Sequence, residues 1–318
     1  MNQIAKNNFW TYAARFTLLY MLLYLAVGLI FINLQNALPA ESRVALDFFK
    51  PYNIDINEPV TQVLRGFFIG LVLYPFYDLI VKGKRGFAIL VCALWGVALL
   101  GNLEPKPGSI EGMIYTHTTL VEHALVLAAG LLQAMAIAFL FLGWERRSIG
   151  LIGKVECQWR GFWSETASPK WLRGYTLRYT LFHVIIYILV GSLFYEISGY
   201  EEALATMEAF ALWRDLESIG MVAAVFFGQF FRGAILALLL FPFYNIYMTG
   251  KFGWLKLFGL LFGLKVIPAM FVVPESFLVM LQEAAVGLPE IIVQTLVFAL
   301  AFYAWERRRK RKVESAAA

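Results

Sequence analysis

Seven ionisable side chains other than histidine lie inside long apolar stretches of this sequence, away from the basic clusters at the ends of those stretches: Arg65, Asp78, Glu122, Arg232, Lys265, Glu283 and Glu290. Placing a charge at the centre of a membrane helix costs about 2.5–3.5 kcal/mol on insertion scales, so such side chains pair with one another or have a functional role. They are therefore the first candidates for chemistry in this chain.

The depths of these charges predict two ion pairs. Arg65 precedes the lysine at the basic end of its apolar stretch by 19 residues, and Glu122 precedes the tryptophan at the end of its own stretch by 22. At a rise of about 1.5 Å per residue the distances are roughly 28 Å and 33 Å, so the two groups lie at similar depth. Arg232 and Glu283 have the same spacing. We therefore expect Arg65 to pair with Glu122, and Arg232 with Glu283.

Four glutamines extend these pairs along the helices. Gln62 and Gln229 lie three residues before the arginines, and Gln133 and Gln294 lie eleven residues after the glutamates. Residues at these spacings share a helix face. A polar track is therefore expected to run inward from each pair.

The second half of the chain has two further charges, Lys265 and Glu290, where the aligned positions of the first half are Ala98 and Ala129. Glu290 lies 15 residues from the end of its apolar stretch, which places it near the middle of the bilayer. A carboxyl group at that depth could act in a proton relay. These two residues indicate binding of a solute or ion in the second half, and a further structural clamp is the alternative.

The predicted ion pairs also have a purely structural interpretation. Because both halves would keep them, the pairs could simply fasten the second and fourth helices of each half together. Asp78 lies at the depth of Arg15 and could contact it, and there a structural role is favoured.

The composition is that of a membrane protein. Of the 318 residues, 60% are hydrophobic and 15% are charged, whereas ordinary soluble domains have about 25% charged residues. The first apolar stretch lacks a small-residue cleavage site and is interpreted as a retained span. Of the two cysteines, Cys92 lies in an apolar stretch and Cys157 in a basic linker, so neither a disulfide nor a metal framework is expected.

Eight membrane-spanning helices are predicted, because a crossing needs about 20 mostly apolar residues. They cover approximately residues 12–33, 61–81, 86–103, 117–143, 175–197, 219–248, 252–273 and 277–304. The predicted fold class is therefore all-α, a polytopic integral membrane protein.

The basic residues lie mainly on one side of this topology. That side holds 20 of the 27 lysines and arginines, and both termini belong to it. Since cytoplasmic loops are enriched in Lys and Arg, we expect both termini to be cytoplasmic, with the protein in the inner or plasma membrane. The net charge of +5 then indicates contact with anionic lipid headgroups rather than with nucleic acid.

The sequence also contains an internal repeat. Residues 62–86 and 229–253 share 11 identities in 25 positions, and residues 12–28 and 175–191 share 7 in 17. Four spans per repeat is an even number, so two tandem, parallel four-helix repeats are predicted about an axis along the membrane normal. The predicted divisions are a first repeat at 1–147, a basic, Trp-rich interfacial linker at 148–174, a second repeat at 175–306 and a basic tail at 307–318.

Other motifs are weak. His117 and His123 flank Glu122, but positions 117 and 123 lie far apart around a helix, so metal binding is not expected. His183 has no predicted partner of equal depth, which argues against paired haem ligands. The sequence has no phosphate-binding loop, nucleophile elbow or zinc-protease motif, so no cofactor is predicted and an enzyme is disfavoured.

Asymmetric charges on a duplicated scaffold favour a secondary transporter, or a subunit of a transport complex, for a small polar or charged solute. In this hypothesis Arg232 and Lys265 contact an anionic group and Glu290 takes up and releases a proton. Arg65 and Glu122 hold the other half in register.

Two alternatives come from other functional classes. The first is a scaffold or sensor subunit, in which every charge is a helix clamp and the loops and tail bind membrane-protein partners. The second is a lipid-acting enzyme that uses Glu122, His117 and His123 as acid and base groups.

Overall fold

A computed structural model of the chain describes residues 8–49, 57–151, 168–216, 218–266 and 277–317. The structure is 84% helical, and the described residues form no strand. The prediction of an all-α fold is confirmed for this part of the protein.

The helices are numbered in chain order. They are α1 Phe9–Asn36, α2 Val44–Phe48, α3 Asn57–Leu73, α4 Gly86–Val91, α5 Ile110–Tyr115, α6 Leu120–Ser148, α7 Pro169–Ile197, α8 Tyr200–Thr206, α9 Ile219–Leu240, α10 Tyr244–Tyr247, α11 Gly253–Lys265 and α12 Phe277–Ala317. Short 3₁₀ and π-helical segments join several of them.

Six helical segments of the described residues are long and apolar enough to cross a membrane, where the sequence predicted eight. They are Phe9–Asn36, Pro59–Phe76, Leu120–Ser148, Pro169–Ile197, Ile219–Tyr247 and Gly287–Lys312. The predicted third span is only the short apolar helix Gly86–Leu100, which changes from α to π-helix at Cys92. For the predicted seventh span, the structure describes α11 as far as Lys265, and residues 267–276 lie outside the described part. The helix pattern is that of a multi-pass membrane protein, but eight spans are not confirmed.

The repeated Pro-Phe-Tyr sequence interrupts two of the long helices. Proline has no backbone N–H and cannot continue the helical hydrogen bonding. Accordingly, Tyr74–Phe76 and Phe241–Phe243 are short 3₁₀ segments. The chain then continues as a π-helical segment, Asp78–Lys82, in one case and as α10 in the other.

The chain folds into two compact units. The first comprises Met1–Met113, His117–Thr166 and Gly263–Val273, and the second comprises Ile114–Thr116, Ala167–Phe262 and Pro274–Ala318. Each unit is built around one long helix, α1 in the first and α7 in the second.

In the first unit α1 packs against α3 and α6. Gly66 allows a close approach of α3 to α1, since a β-carbon at this position would lie 3.1 Å from the α-carbon of Thr17. The almost completely buried rings of Tyr12 and Phe16 meet the ring of Phe141 edge to face, at 5.3 and 5.1 Å. Edge-to-face contact is a favoured geometry for aromatic pairs. This packing fixes the register of α1 against α6.

In the second unit α7 packs against α9 and α12. Gly233 brings α9 close to α7, because a β-carbon there would lie 3.0 Å from the ring of His183. The Tyr179 ring contacts Phe298 at 4.7 Å and Phe302 at 5.2 Å. These contacts bring polar residues of three helices close together.

Three segments lie outside the spans. The polar stretch 198–218 contains the short helix α8 and a 3₁₀ turn at Glu208–Phe210. Most of the predicted interfacial linker, residues 152–167, lies outside the described residues. The predicted basic tail continues α12 without a break as far as Ala317.

Candidate functional site

A fully buried arginine lies at one end of a polar cluster in the second unit. Arg232 of α9 has 0% exposure, and its Nη1 donates to Gln229 Oε1 at 3.3 Å. His183 Nε2 of α7 lies 3.1 Å from the same oxygen. An amide oxygen can only accept hydrogen bonds, so the imidazole carries its proton on Nε2. Gln229 therefore links a permanent cation to a titratable ring.

A carboxylate with two donors lies at the other end of the cluster. Tyr200 of α8 donates its hydroxyl to Glu290 Oε2 at 2.7 Å, and Gln294 Nε2 donates to Glu290 Oε1 at 3.0 Å. Burial, together with the neighbouring charge of Glu290, raises the pKa of the Tyr200 phenol well above its ordinary value, so Tyr200 remains a donor. Both donors fix the orientation of the Glu290 carboxyl group.

Residues of α7 connect the two ends. His183 and Tyr187 lie one turn apart with ring centroids 6.0 Å from each other. Gln294 Nε2 lies 3.5 Å from the carbonyl oxygen of Tyr187, and the Tyr187 hydroxyl bonds to that of Tyr115 at 2.5 Å. We call Arg232, Gln229, His183, Tyr187, Gln294, Glu290 and Tyr200 the polar chain of the second unit.

The polar chain contains the group types that proton transfer and solvation of a polar solute require. A guanidinium is fixed at one end and a carboxylate at the other, and the imidazole and amide groups between them can both donate and accept. Hydrogen-bonded networks of this kind in a low-dielectric interior are strong when their members are paired. The chain therefore offers a guanidinium for a small anion and a carboxyl group for a proton, in two hydrogen-bonded parts that meet at the ring contact of His183 and Tyr187.

The aligned residues of the first unit form a different arrangement. Gln62 is buried, with 1% exposure, and the Arg65 guanidinium lies 5.7 Å from the Tyr24 ring centroid. The position aligned with Glu290 is Ala129, and Gln133 is only partly buried. The carboxylate is thus specific to the second unit.

The structure contradicts the predicted pair of Arg65 and Glu122. Glu122 is fully buried, but its Oε2 accepts from the backbone N–H and hydroxyl of Thr119, at 2.7 and 2.8 Å. Its Oε1 accepts from the N–H groups of Ala45 and Leu46, at 2.6 and 3.0 Å. The carboxylate therefore caps the first turns of α6 and α2, whose N–H groups have no partner within their own helices.

A sequence signal for this cap was present. Thr119 and Glu122 form the Thr-x-x-Glu pattern of a capping box before an apolar stretch. The aligned glutamate, Glu283, has Met280 in place of Thr119 and cannot form the same box. Glu122 and Glu283 are therefore aligned at equal predicted depth, but Glu283 cannot share the capping role of Glu122.

We expect Glu122→Gln to destabilise the first unit. An amide would place an NH₂ group against N–H donors, and each buried polar group left without a partner costs about 1–3 kcal/mol. The free energy of unfolding in detergent should fall by about 2 kcal/mol or more. The exposed Glu41→Gln is the control, with an expected change within about 0.5 kcal/mol. An unchanged stability of Glu122→Gln would contradict the capping role.

One other predicted contact and one predicted joint role are not tested by the structure. The side chain of Glu283 is outside the described residues, so the pair of Arg232 and Glu283 stays a prediction. Lys265 is buried, with 5% exposure, and belongs to the first unit, whereas Glu290 belongs to the second. A joint role for Lys265 and Glu290 is likewise untested.

Sequence reasoning missed an ion pair at the end of α6 in the first unit. Arg15 Nη1 donates to Glu145 Oε2 at 3.0 Å, and the Tyr77 hydroxyl donates to Glu145 Oε1 at 3.0 Å. The side chain of Glu145 has 0% exposure. The predicted contact of Asp78 with Arg15 is wrong, because Asp78 pairs with Lys82 one turn along its own helix at 2.9 Å.

The second unit has an ion pair of the same residue types. Arg178 Nε donates to Glu306 Oε1 at 2.5 Å, and the Tyr244 hydroxyl donates to Glu306 Oε2 at 2.9 Å. Arg309 Nη2 adds a third donor at 3.2 Å. We call these two groups the first and second Arg–Glu–Tyr clamps. Their members occupy aligned positions of the sequence, which is a signal that comparison of the two halves could have provided.

The histidines of the first unit do not form a metal or acid–base site with Glu122. His123 Nδ1 accepts from the N–H of Gly108 at 2.9 Å, and His117 is exposed. Both oxygens of Glu122 already accept two hydrogen bonds each. Within the described residues, no group of three His, Cys, Asp or Glu side chains could hold a metal ion. His183, predicted to stand alone, contacts Gln229 as described above.

Comparison with protein families, with curated proteins and with solved structures found no match to this chain. The functional interpretation therefore rests on the residues and their geometry.

Proposed function

We propose that this protein is a secondary transporter, or a subunit of a transport complex, for a small polar or charged solute. In this proposal the polar chain of the second unit binds the solute and exchanges the coupled proton. Arg232 would attract an anionic group of the solute, and Glu290 would exchange the coupled proton. The protein would lie in the inner or plasma membrane with both termini cytoplasmic, as the distribution of basic residues predicts.

One observation carries the proposal: Glu290 lies within a candidate membrane-spanning segment and contacts two donors from different helices. A charged group inside a span is costly and marks ion or proton pathways in membrane proteins. Simple helix fastening does not need a carboxylate at this position, since Ala129 occupies the aligned position of the first unit.

We also propose that the two units are tandem repeats that diverged in function. The Arg–Glu–Tyr clamps support this, because their residues are identical in type and aligned in sequence. The close helix approaches at Gly66 and Gly233, which are also aligned, give further support. On this basis the first unit serves as the fixed scaffold, and the second carries the solute.

Proton movement in proteoliposomes tests the transport function. Liposomes with a trapped pH-sensitive dye would receive a panel of solutes: phosphate, sulfate, monocarboxylates, dicarboxylates and amino acids. We expect at least one solute gradient to drive proton movement above that of protein-free liposomes. If no member of the panel moves protons in either gradient direction, transport by this chain alone is contradicted.

A scaffold or sensor subunit is the second candidate, and the two clamps favour it. Both clamps join three helical segments of their own unit, so both suit a rigid support for partner proteins. A constant set of co-purifying membrane proteins, together with no proton movement in the panel above, would favour this function over transport.

A further inference from the structure

The first unit has an open pocket of about 490 Å³ where α1 begins and α6 ends. It is lined by Trp10, Thr11, Ala14, Arg15, Leu18 and Trp144. Both helices are candidate membrane spans, so their ends lie at the level of the lipid headgroups. Tryptophan is enriched at this level because its ring is apolar and its N–H is polar.

Arg15 forms a charged wall of the pocket and has hydrogen-bond donors available for a ligand. Its Nη1 donates to Glu145 and to Ser148 Oγ. Its Nε and Nη2 donate to no acceptor in the described part of the protein, and the side chain is 20% exposed in the pocket. The guanidinium lies 5.5 Å from the Trp144 ring centroid, which holds it in place. Two donors of one guanidinium match the oxygens of a phosphate group.

The pocket becomes more apolar towards the bilayer. Thr11 lies in the first turn of α1, and Leu18 lies seven residues further on, a distance of about 10 Å along the helix. Ala14 and Leu18 are exposed. A ligand with a charged head and an apolar chain fits this order, because the head would meet Arg15 and the chain would follow Leu18.

The two units differ in the side chains near this end of their long helices. The positions aligned with Asn8 and Ser148 carry Trp171 and Arg309. The Trp171 ring stacks on Tyr175 at 5.6 Å, and the Arg309 guanidinium lies 5.9 Å from the Trp171 ring centroid. Among the residues that line the pocket, Ala14 has the larger Leu177 at the aligned position of the second unit.

We propose that the pocket beside Arg15 binds the phosphate headgroup of an anionic phospholipid. The negative charge of the phosphate group is attracted by Arg15 and by Arg147. Arg147 is exposed and lies one turn from Trp144 on α6. The acyl chain lies along the exposed apolar face of α1. This site does not depend on the transport function and requires only that the protein is in a membrane.

Lipid retention by the full-length protein tests the site. The detergent-purified protein is titrated with phosphatidylglycerol or with phosphatidylcholine of the same acyl chains, and bound lipid is counted by native mass spectrometry. We expect the protein to retain phosphatidylglycerol at a concentration roughly fivefold lower than phosphatidylcholine, the effect of about one cationic side chain. Equal retention of the two lipids would overturn the proposal.

Three variants and a competitor localise the binding. Ala14→Trp fills the pocket and should abolish the fivefold preference, whereas Leu177→Trp, at the aligned exposed position of α7, should keep it. Trp10→Ala removes one wall and should weaken retention without filling the pocket. Retention that is unchanged in Ala14→Trp, or lost equally in Leu177→Trp, would overturn the site. Displacement of the lipid by inorganic phosphate would assign the pocket to free phosphate instead.

Discussion

Proton-coupled transport is expected to fall by about 100-fold or more in Glu290→Gln, a size typical of removing a positioned proton-transfer group. Glutamine keeps the shape of the side chain, although its single oxygen can accept from only one of the two donors, Tyr200 or Gln294. It cannot exchange a proton. Exchange of solute for solute, which moves no net proton, should persist in the variant because Arg232 and its neighbours are unchanged.

Comparing proton-coupled transport with solute exchange separates a loss of proton coupling from damage to the fold. Glu201→Gln makes the same chemical change on an exposed residue beside Tyr200, and both modes should remain at the wild-type level in that control. If Glu290→Gln retains proton-coupled transport, Glu290 is not the coupling group. Equal loss of both modes would indicate that its role is structural.

Glu306→Gln is expected to lower the free energy of unfolding by about 3 kcal/mol or more, as for other buried ion pairs that lose one partner. The Glu306 side chain has 0% exposure and accepts hydrogen bonds from Arg178, Tyr244 and Arg309. Replacing the carboxylate by an amide leaves two guanidinium groups without a counter-charge. Thermal and denaturant unfolding in detergent would measure the loss.

The burial of the carboxylate determines how much unfolding free energy is lost. Asp78→Asn, in an exposed ion pair, is the matched control. The Asp78 side chain in the pair with Lys82 is 71% exposed, and exposed ion pairs contribute only about 0–1 kcal/mol. We expect Glu145→Gln in the first clamp to resemble Glu306→Gln, since its carboxylate is also fully buried. Similar small losses for Glu306→Gln and Asp78→Asn would contradict a stabilising role of the second clamp.

The sequence predicted the all-α fold and much of the polar chain for physical reasons. Apolar stretches of membrane length leave few alternatives to helices. The spacing of Arg232 and Gln229, and of Glu290 and Gln294, places each pair on one helix face, where the structure finds them in contact. Local periodicity was sufficient for these contacts.

Contacts between distant segments were harder to predict. His183, Tyr187 and Tyr200 joined the polar chain through helix register and through the position of α8, which no periodicity encodes. Depth alone assigned Glu122 to Arg65, although the nearby N–H groups of two helix ends are better partners. The predicted third span was shorter than its apolar stretch, because hydropathy does not distinguish a crossing from a short buried helix.

The role of Glu290 is tested most directly by infrared difference spectroscopy of the protein in lipid as the pH is changed. A protonated carboxyl group has a C=O stretching band that the carboxylate lacks, so the method detects proton uptake without knowledge of the solute. We expect such a band to appear on acidification of the wild type and to be absent from Glu290→Gln, with Glu201→Gln resembling the wild type. Identical spectra of the wild type and Glu290→Gln across the pH range would contradict the assignment of Glu290 as the group that exchanges the proton.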